Sequence, residues 1–210
     1  CIRDRADEYA PGKHPVIAIT TDAEAASYER GVADLQALKF GEHDMMLAVT
    51  VSGKTPWVWG AMRHAWSLGS PVAVMTGDAQ SEAAQLASMV IAPELGPDVV
   101  AGYANAKAGI AQKMILNMVT TGLAVRSGRV YSNLRVDLEA TSTKWSERQI
   151  AIVMEAGGCT RAEAKTALES CNHNCKTAVL MVLTGLDAWK AHELLAQNNG
   201  FIRVALQEAP

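Results

Sequence analysis

The sequence predicts an α/β fold, with a parallel sheet flanked by helices in the first two-thirds and a small all-α bundle after it. Short apolar stretches alternate with helix-length segments up to about residue 97, which is the pattern of consecutive β-α-β units in a parallel sheet. From residue 145 onward, short helices are separated by turns of small residues. We therefore expect a sheet domain at residues 1–129, a connector at 130–145 and a helical bundle at 146–210.

Four apolar stretches are predicted as strands: residues 16–20, 44–51, 71–76 and 89–92. The second of them, DMMLAVTV, is almost continuously apolar, which predicts a central strand covered on both faces. Helices are predicted between the strands, at residues 23–38, 55–68 and 81–87. A longer helix at residues 103–126 is expected to end before Gly128, because glycine is common just after a helix C-terminus.

The remaining sequence is predicted to contain a connector and then a bundle. Residues 130–143 are polar and are expected to be irregular. Helices are predicted at residues 146–156, 176–183 and 187–197, with another beginning at Thr160. Glu163 follows Thr160 by three residues, which is the spacing of a capping box.

The composition indicates a folded cytoplasmic protein without a nucleic-acid or membrane partner. Apolar residues make up 49% of the 210 residues, charged residues 20%, and the net charge is −3. Nucleic acids and anionic membranes require clustered basic surface, and the sequence has no basic stripe. The longest apolar stretch, near residues 114–125, is interrupted by polar residues and is too short to span a bilayer. The charged first residues, with no apolar run after them, do not resemble a signal peptide.

The cysteines and histidines do not form a recognisable catalytic or metal pattern. Cys159, Cys171, His173 and Cys175 are the one combination that suggests a metal site, but they lack the paired knuckles of structural zinc. Free thiols in a reducing cytosol are the preferred interpretation. The five histidines show no pairing with Ser or Cys by spacing, so none is assigned a catalytic role.

The most informative local motif is Ser52-Gly53-Lys54-Thr55-Pro56. A buried strand is predicted to end here and a helix to begin, with Thr55 as the N-cap and Pro56 at the first helical position. Free backbone N–H groups at a helix N-terminus suit a phosphate or a carboxylate, and the hydroxyls of Ser52 and Thr55 add two donors. A well-capped helix without a ligand explains the motif equally well. The motif lacks the glycine spacing of a Walker P-loop.

Two isolated charged residues are further candidates. Lys107 lies near the start of the helix predicted at residues 103–126, where a cation is mildly unfavourable unless it meets an anion. This position indicates a ligand or an ion pair, although a solvated lysine is the commoner outcome. Glu24 lies on the first predicted helix, where most glutamates face solvent.

Five longer segments carry a family resemblance: DLQALKF, SGKTPWV, AKAGIAQKMILNMVTTGLAVRSGRVYSNLRVDLEAT, CNHNCKTAVLMVLTGLDAWKAHELL and GFIRVAL. They resemble the N-acetylmuramic acid 6-phosphate etherases and their relatives, the glucokinase regulatory proteins. The similarity runs from about Asp34 to Leu206. It implies a sugar isomerase (SIS) domain with a flavodoxin-like sheet, followed by a bundle similar to the ubiquitin-associated three-helix fold.

The resemblance implies a lyase that uses no cofactor. Such an enzyme cleaves the lactyl ether of N-acetylmuramic acid 6-phosphate in the presence of water, giving N-acetylglucosamine 6-phosphate and D-lactate, in cell-wall amino sugar recycling. A base removes a proton from the sugar, lactate leaves with help from a general acid, and water adds back. By this resemblance a catalytic carboxylate is expected near Glu24. The residues expected to bind the substrate are those singled out above by their positions: Ser52, Gly53, Thr55 and Lys107.

Three departures from the family pattern concern the active site. Cys1 matches the cysteine that directly follows one catalytic glutamate, so that glutamate is expected to precede this chain. The second glutamate is expected near Glu24, but counting back from Gly31 without gaps places Ala25 there. Residues 103–105 replace the family's Ser-Ser/Thr-Arg.

Three interpretations of function stay open at this point. The first is an etherase-family enzyme, as a fragment or a divergent member. The second is a non-catalytic regulatory protein that binds a sugar phosphate, and the third is a structural remnant that binds nothing. A homodimer is expected, because the resemblance implies active sites between subunits. The apolar surface of residues 103–125, with Trp57 and Trp66, also exceeds what one small sheet needs, and Trp59 and Trp66 are expected on one face as core or dimer contacts.

Overall fold

The chain folds into two units, and the boundary between them in the sequence lies between Met118 and Val119. The computed structural model describes residues 17–18, 21–100 and 106–209. The division falls inside a long helix, Ala106–Arg126, rather than after residue 129. The domain limits given above stay a prediction.

In the part of the chain that the structure describes, three short parallel strands form the sheet of the first unit, in the spatial order β1 (Met46–Val49), β2 (Val72–Met75) and β3 (Met89–Ile91). This confirms the α/β class with a parallel sheet. Within the described sheet β2 is central, and all four of its residues are buried. The prediction that both faces of the strand at residues 44–51 are covered was wrong. Within the described sheet β1 is an outer strand that buries Ala48 and exposes Leu47 and Val49. An apolar run alone does not reveal whether both faces of a strand are covered.

Within the described residues, five helices belong to the first unit or begin in it: α1 (Asp22–Ala25), α2 (Tyr28–Ala37), α3 (Pro56–Ser67), α4 (Glu82–Leu86) and α5 (Ala106–Arg126). The single helix predicted at residues 23–38 is two helices, because the Ser27 hydroxyl accepts a hydrogen bond from Arg30 N and caps a new start. Of the strand predicted at residues 16–20, only Ile17 and Ala18 are described, and neither is in a strand; the rest lies outside the described residues.

Helices α2 and α3 cross with their backbones in direct contact. A Cβ atom on Gly31 would overlap the carbonyl oxygen of Trp57, and one on Gly60 would overlap the carbonyl oxygen of Tyr28. The indole Nε1 of Trp57 also donates a hydrogen bond of 2.9 Å to Asp34 Oδ2. These contacts set the position of α3, whose N-terminus follows the end of β1.

Helix α5 is the longest helix in the described residues, with 21 residues. Ala124 is its one buried residue, and the apolar side chains of Ile110, Met114 and Met118 are 65%, 54% and 63% exposed. In the ranges that the structure describes, no helix combines the length and apolarity needed to cross a membrane.

The second unit is a bundle of short helices: α6 (Thr143–Gly157), α7 (Arg161–Ser170), α8 (Cys175–Thr184), α9 (Ala188–Gln197) and α10 (Ile202–Glu208). Helix α8 is central, and its residues Ala178, Val179 and Leu180 are completely buried. The predicted capping box of Thr160 and Glu163 is confirmed. Helix α10 was not predicted from the sequence.

The segment predicted as an irregular connector is partly ordered into strands. Two-residue strands β4 (Val130–Tyr131) and β5 (Leu134–Arg135) pair as an antiparallel hairpin. Val136 and Leu138, which follow it, belong to the core of the bundle. The expectation of an irregular structure was wrong because strands of two residues are too short to show an alternating pattern.

The capping box makes the stability of the second unit depend on pH. The Glu163 carboxylate accepts hydrogen bonds of 2.7 Å from both the backbone N and the hydroxyl of Thr160, and these bonds lower its pKa. A carboxyl group whose pKa is lower in the folded chain stabilises the fold above its ordinary pKa. That stabilisation is lost as the pH falls from about 4.5 toward the lower folded value.

We therefore predict that Glu163→Gln weakens the acid sensitivity of thermal unfolding. The midpoint should drop less between about pH 7 and about pH 3 in this variant than in the parent, because the amide carries no titrating charge. Circular dichroism melts provide the measurement. Glu155→Gln, at an exposed carboxylate on α6, is the control and should retain the parent's pH dependence. Identical pH profiles for parent and Glu163→Gln would contradict the prediction.

Candidate functional site

The turn after β1 is organised around the peptide of Gly53. This buried residue has a φ of +68°, and a Cβ atom there would overlap the hydroxyl of Ser81. Its N–H donates to Thr50 Oγ1 at 3.3 Å. Its carbonyl oxygen accepts from the indole Nε1 of Trp59 at 2.9 Å and from Ala83 N at 3.2 Å. One glycine therefore connects the end of β1 with helices α3 and α4.

These hydrogen bonds determine which of the turn residues still have a donor to offer to a ligand. The N–H of Gly53 already has an acceptor, so Gly53 shapes the turn rather than donating to a ligand. Ser52 is exposed, and its Oγ accepts from Lys54 N at 3.2 Å. Thr55 is the N-cap of α3 as predicted, but its side chain makes no capping hydrogen bond.

An open cleft of about 300 Å³ lies beside this turn. It is formed where all three parallel strands end, which is the edge at which open α/β sheets bind ligands. The polar lining comes from the segments that follow the three strands and from the start of α5: Ser52, Lys54, Asp78, Asp98 and Lys107. Of the predicted binding residues, Ser52 and Lys107 line the cleft and Gly53 and Thr55 do not.

Lys107 is held in the cleft by neutral groups. Its Nζ donates to the carbonyl oxygen of Pro97 at 2.6 Å and to that of Leu95 at 3.4 Å. Its backbone N lies 3.4 Å from Asp98 Oδ1. Because carbonyl oxygens carry no net charge, they position the ammonium group without neutralising it. The structure thus provides a fixed cation rather than the ion pair considered above.

The other charged groups of the cleft were missed by the sequence analysis. Lys54 is exposed, and Asp78 and Asp98 are half-buried. The carboxylate of Asp78 accepts from Gln80 N at 2.9 Å. Among these described residues, neither lysine forms an ion pair with either aspartate. Their positions in the sequence could have indicated a role, since Asp78 and Asp98 each follow a predicted strand closely.

Glu24 is not among the residues that line the cleft. Its carboxylate accepts from the Thr21 hydroxyl at 3.1 Å and lies 3.4 Å from Arg30 Nη2. The Thr21 hydroxyl in turn accepts from Glu24 N, which makes a cap at the start of α1. The spacing of Thr21 and Glu24 is that of a capping box and was visible in the sequence. The catalytic role of Glu24 stays a prediction.

Cys171 and Cys175 flank a turn in the second unit, and burial raises the pKa of both thiols. Asn172 and His173, between Cys171 and Cys175, both have positive φ. Burial raises the pKa of Cys175 to about 12, so its thiol is not a nucleophile near neutral pH. Among the described residues, no group of three or more His, Cys, Asp and Glu side chains is arranged to hold a metal ion. Cys1 lies outside the described residues.

Trp59 and Trp66, which were expected on one face as core or dimer contacts, differ in burial. Trp59 is half-buried and bonded to the Gly53 carbonyl, whereas Trp66, in the last turn of α3, is 72% exposed. Trp59 therefore helps to form the turn, and Trp66 is not a core residue.

The chain is similar over most of its length to proteins named N-acetylmuramic acid 6-phosphate etherase. It is 48% identical over 195 residues to that of Klebsiella aerogenes, covering 93% of this chain and 65% of the relative. It is 47% identical over 197 residues to that of Aliivibrio fischeri (strain MJ11), covering 94% and 66%. For Edwardsiella ictaluri the identity is 49% over 175 residues, covering 83% and 58%. The chain thus spans less than two thirds of the length of these relatives, between 58% and 66%. No family model matches it.

We predict that Gly53→Ala lowers the free energy of unfolding more than Gly69→Ala. Both glycines have positive φ, at +68° and +78°, but space is open where a Cβ on Gly69 would lie. Gly69→Ala is expected to cost about 1–2 kcal/mol from the left-handed backbone alone. The overlap with Ser81 should add about 1–3 kcal/mol at Gly53. Urea unfolding measures both, and equal costs would show that Gly53 is not tightly enclosed.

Proposed function

The chain belongs to the N-acetylmuramic acid 6-phosphate etherase family, and from this premise we propose that it binds N-acetylmuramic acid 6-phosphate in the cleft beside the Gly53 turn. The proposed reaction is cleavage of the lactyl ether to N-acetylglucosamine 6-phosphate and D-lactate, a carbon–oxygen lyase step of peptidoglycan recycling in the cytoplasm that uses no cofactor. The observation that supports this proposal most is a cleft at the carboxyl ends of three parallel strands, lined by the Ser52 hydroxyl and by Lys54 and Lys107. Within the described residues neither lysine forms an ion pair.

We assign the two units to the two folds that the resemblance implies. The parallel sheet with its helices corresponds to a SIS domain, proposed at residues 1–129. The helices after the connector at residues 130–145 correspond to the ubiquitin-associated-like bundle at 146–210. The buried central strand β2 and the central helix α8 support this assignment.

The phosphate of the substrate is proposed to lie between Ser52 and Lys107. The Ser52 hydroxyl is exposed at the turn, and the ammonium group of Lys107 is held by two carbonyl oxygens. Thr55 and the N-terminus of α3 add a favourable dipole. Gly53 contributes by shaping the turn, since a side chain would not fit there.

The position of Glu24 favours a second candidate, a regulatory protein that binds a sugar phosphate without turnover. The reaction needs an acid and a base, and Glu24 is the one catalytic glutamate proposed for this chain. Its carboxylate is bonded to Thr21 and Arg30 and does not line the cleft. Binding and turnover therefore have to be measured separately.

We predict that Ser52→Ala weakens the binding of N-acetylmuramic acid 6-phosphate by about 1–3 kcal/mol, because it removes a hydrogen bond to a charged group. Isothermal titration calorimetry measures the affinity. Ser67→Ala is the control, since the Ser67 hydroxyl donates to His64 O at the other end of α3. Equal affinities for Ser52→Ala and the parent would exclude Ser52 from the phosphate site.

The proposed reaction needs both an acid and a base, and Glu24 is the one catalytic carboxylate proposed among residues 1–210. We therefore predict that these 210 residues by themselves release almost no D-lactate. General acid or base assistance contributes about 10²–10⁴-fold, so a chain with one catalytic carboxylate should turn over far below about 1 s⁻¹. A coupled D-lactate assay tests this. Turnover of about 1 s⁻¹ or more would show that other residues supply the missing acid or base.

We also propose a homodimer, supported by the exposed apolar side of α5. Ile110, Met114 and Met118 are spaced four residues apart and lie side by side, and such exposed patches are typical of protein interfaces. The exposed side chain of Trp66 adds to the apolar surface of the first unit.

Light scattering is expected to show twice the 22.4 kDa mass of one chain at micromolar concentration. Met114→Lys should produce monomers, because a charge would be buried at the interface. Val204→Lys, at an exposed apolar residue of α10, should leave the mass unchanged. A parent chain of 22.4 kDa under these conditions would contradict the proposal.

A further inference from the structure

The two lysines of the cleft differ in how they are held. The ammonium group of Lys107 donates to two carbonyl oxygens. Lys54 is exposed, and within the described residues its ammonium group has no hydrogen-bond partner. Lys54 belongs to the turn after β1 and Lys107 to α5, so the two cations come from different walls of the cleft.

The aspartates of the cleft make a second cation necessary for a ligand with several negative charges. Asp78 and Asp98 both line the cleft. Their carboxylates accept hydrogen bonds from the backbone N–H groups of Gln80 and Lys107, and not from the ammonium group of either lysine. The negative charges of two carboxylates repel an anion, and the single positive charge of one lysine does not balance them. The two positive charges of Lys54 and Lys107 do.

The proposed substrate carries two separate anionic groups, the phosphate and the carboxylate of the lactyl ether. Ser52 and Lys107 are assigned to the phosphate under the proposed function. The carboxylate is then left for Lys54, the cation that comes from the other wall. A lysine with free donors is suited to a carboxylate, because charge-assisted hydrogen bonds are about twice as strong as neutral ones.

Resting on the proposed function, we infer that Lys54 binds the carboxylate of the ether and is the residue that selects acidic sugar phosphates. When the bound sugar phosphate lacks the carboxylate, as in the product N-acetylglucosamine 6-phosphate, the ammonium group of Lys54 contacts only solvent. Lys54 thus determines specificity and promotes release of the product once lactate has departed.

The test compares two ligands in calorimetric titrations of the parent chain and its variants. The parent should bind N-acetylmuramic acid 6-phosphate more tightly than N-acetylglucosamine 6-phosphate. Lys54→Met should lower the affinity for the first by roughly 10- to 100-fold and change that for the second by less than about twofold. Lys54→Gln should behave in the same way, and Lys54→Arg should keep the preference. Lys39→Met, at an exposed lysine outside the cleft lining, is the control.

Three results would overturn the inference. An equal loss of affinity for both ligands in Lys54→Met and Lys54→Gln would place Lys54 at the phosphate. Unchanged affinities would remove it from the site, while the proposed function would stand. A parent chain that binds neither ligand would overturn the proposed function and the inference with it. Circular dichroism melts check that each variant is folded.

Discussion

The hydrogen bonds of the Gly53 peptide hold the candidate site together. Its N–H and carbonyl groups connect the end of β1, the indole of Trp59 on α3 and the first turn of α4. Glycine is required for two reasons, because the backbone is left-handed and Ser81 occupies the space where a side chain would begin. Ser52 and Lys54 flank this peptide, so its geometry decides where their side chains enter the cleft.

The position of α3 depends in turn on its crossing with α2. Two glycines, Gly31 and Gly60, let the helix backbones touch, and the bond from Trp57 to Asp34 strengthens the contact. The buried strand β2 lies in the core that these helices cover.

The second unit is stabilised by its own local and long-range contacts. Capping residues begin its helices, as Thr160 does for α7 and Asp187 for α9. The completely buried side chain of Gln149 donates to the carbonyl oxygens of Leu138 and His173 at 2.6 and 2.9 Å. These two bonds tie the segment after the hairpin to the turn between α7 and α8.

Sequence alone determined the α/β class, most of the helices and strands, and the helix starts at Thr55, Ser81 and Thr160. The starts at Ser81 and Thr160 depend on local chemistry, because a capping side chain acts on N–H groups only two or three residues away, and Pro56 marks the start after Thr55. The same local argument located the turn at Ser52 and Gly53. Strands β4 and β5 and helix α10 were not predicted, because their apolar patterns are too short or too weak to identify an element.

Only the tertiary structure decided which strand is central and which charged side chains share the cleft. Lys54, Asp78, Asp98 and Lys107 are far apart in sequence and meet because three parallel strands end at one edge. It also decided that the N–H of Gly53 is already bonded to Thr50 and that Glu24 is bonded to Thr21 and Arg30. The physical reason is that packing brings distant segments together and uses up donors and acceptors. The sequence shows which groups are present, but the fold decides which of them are still free to meet a ligand.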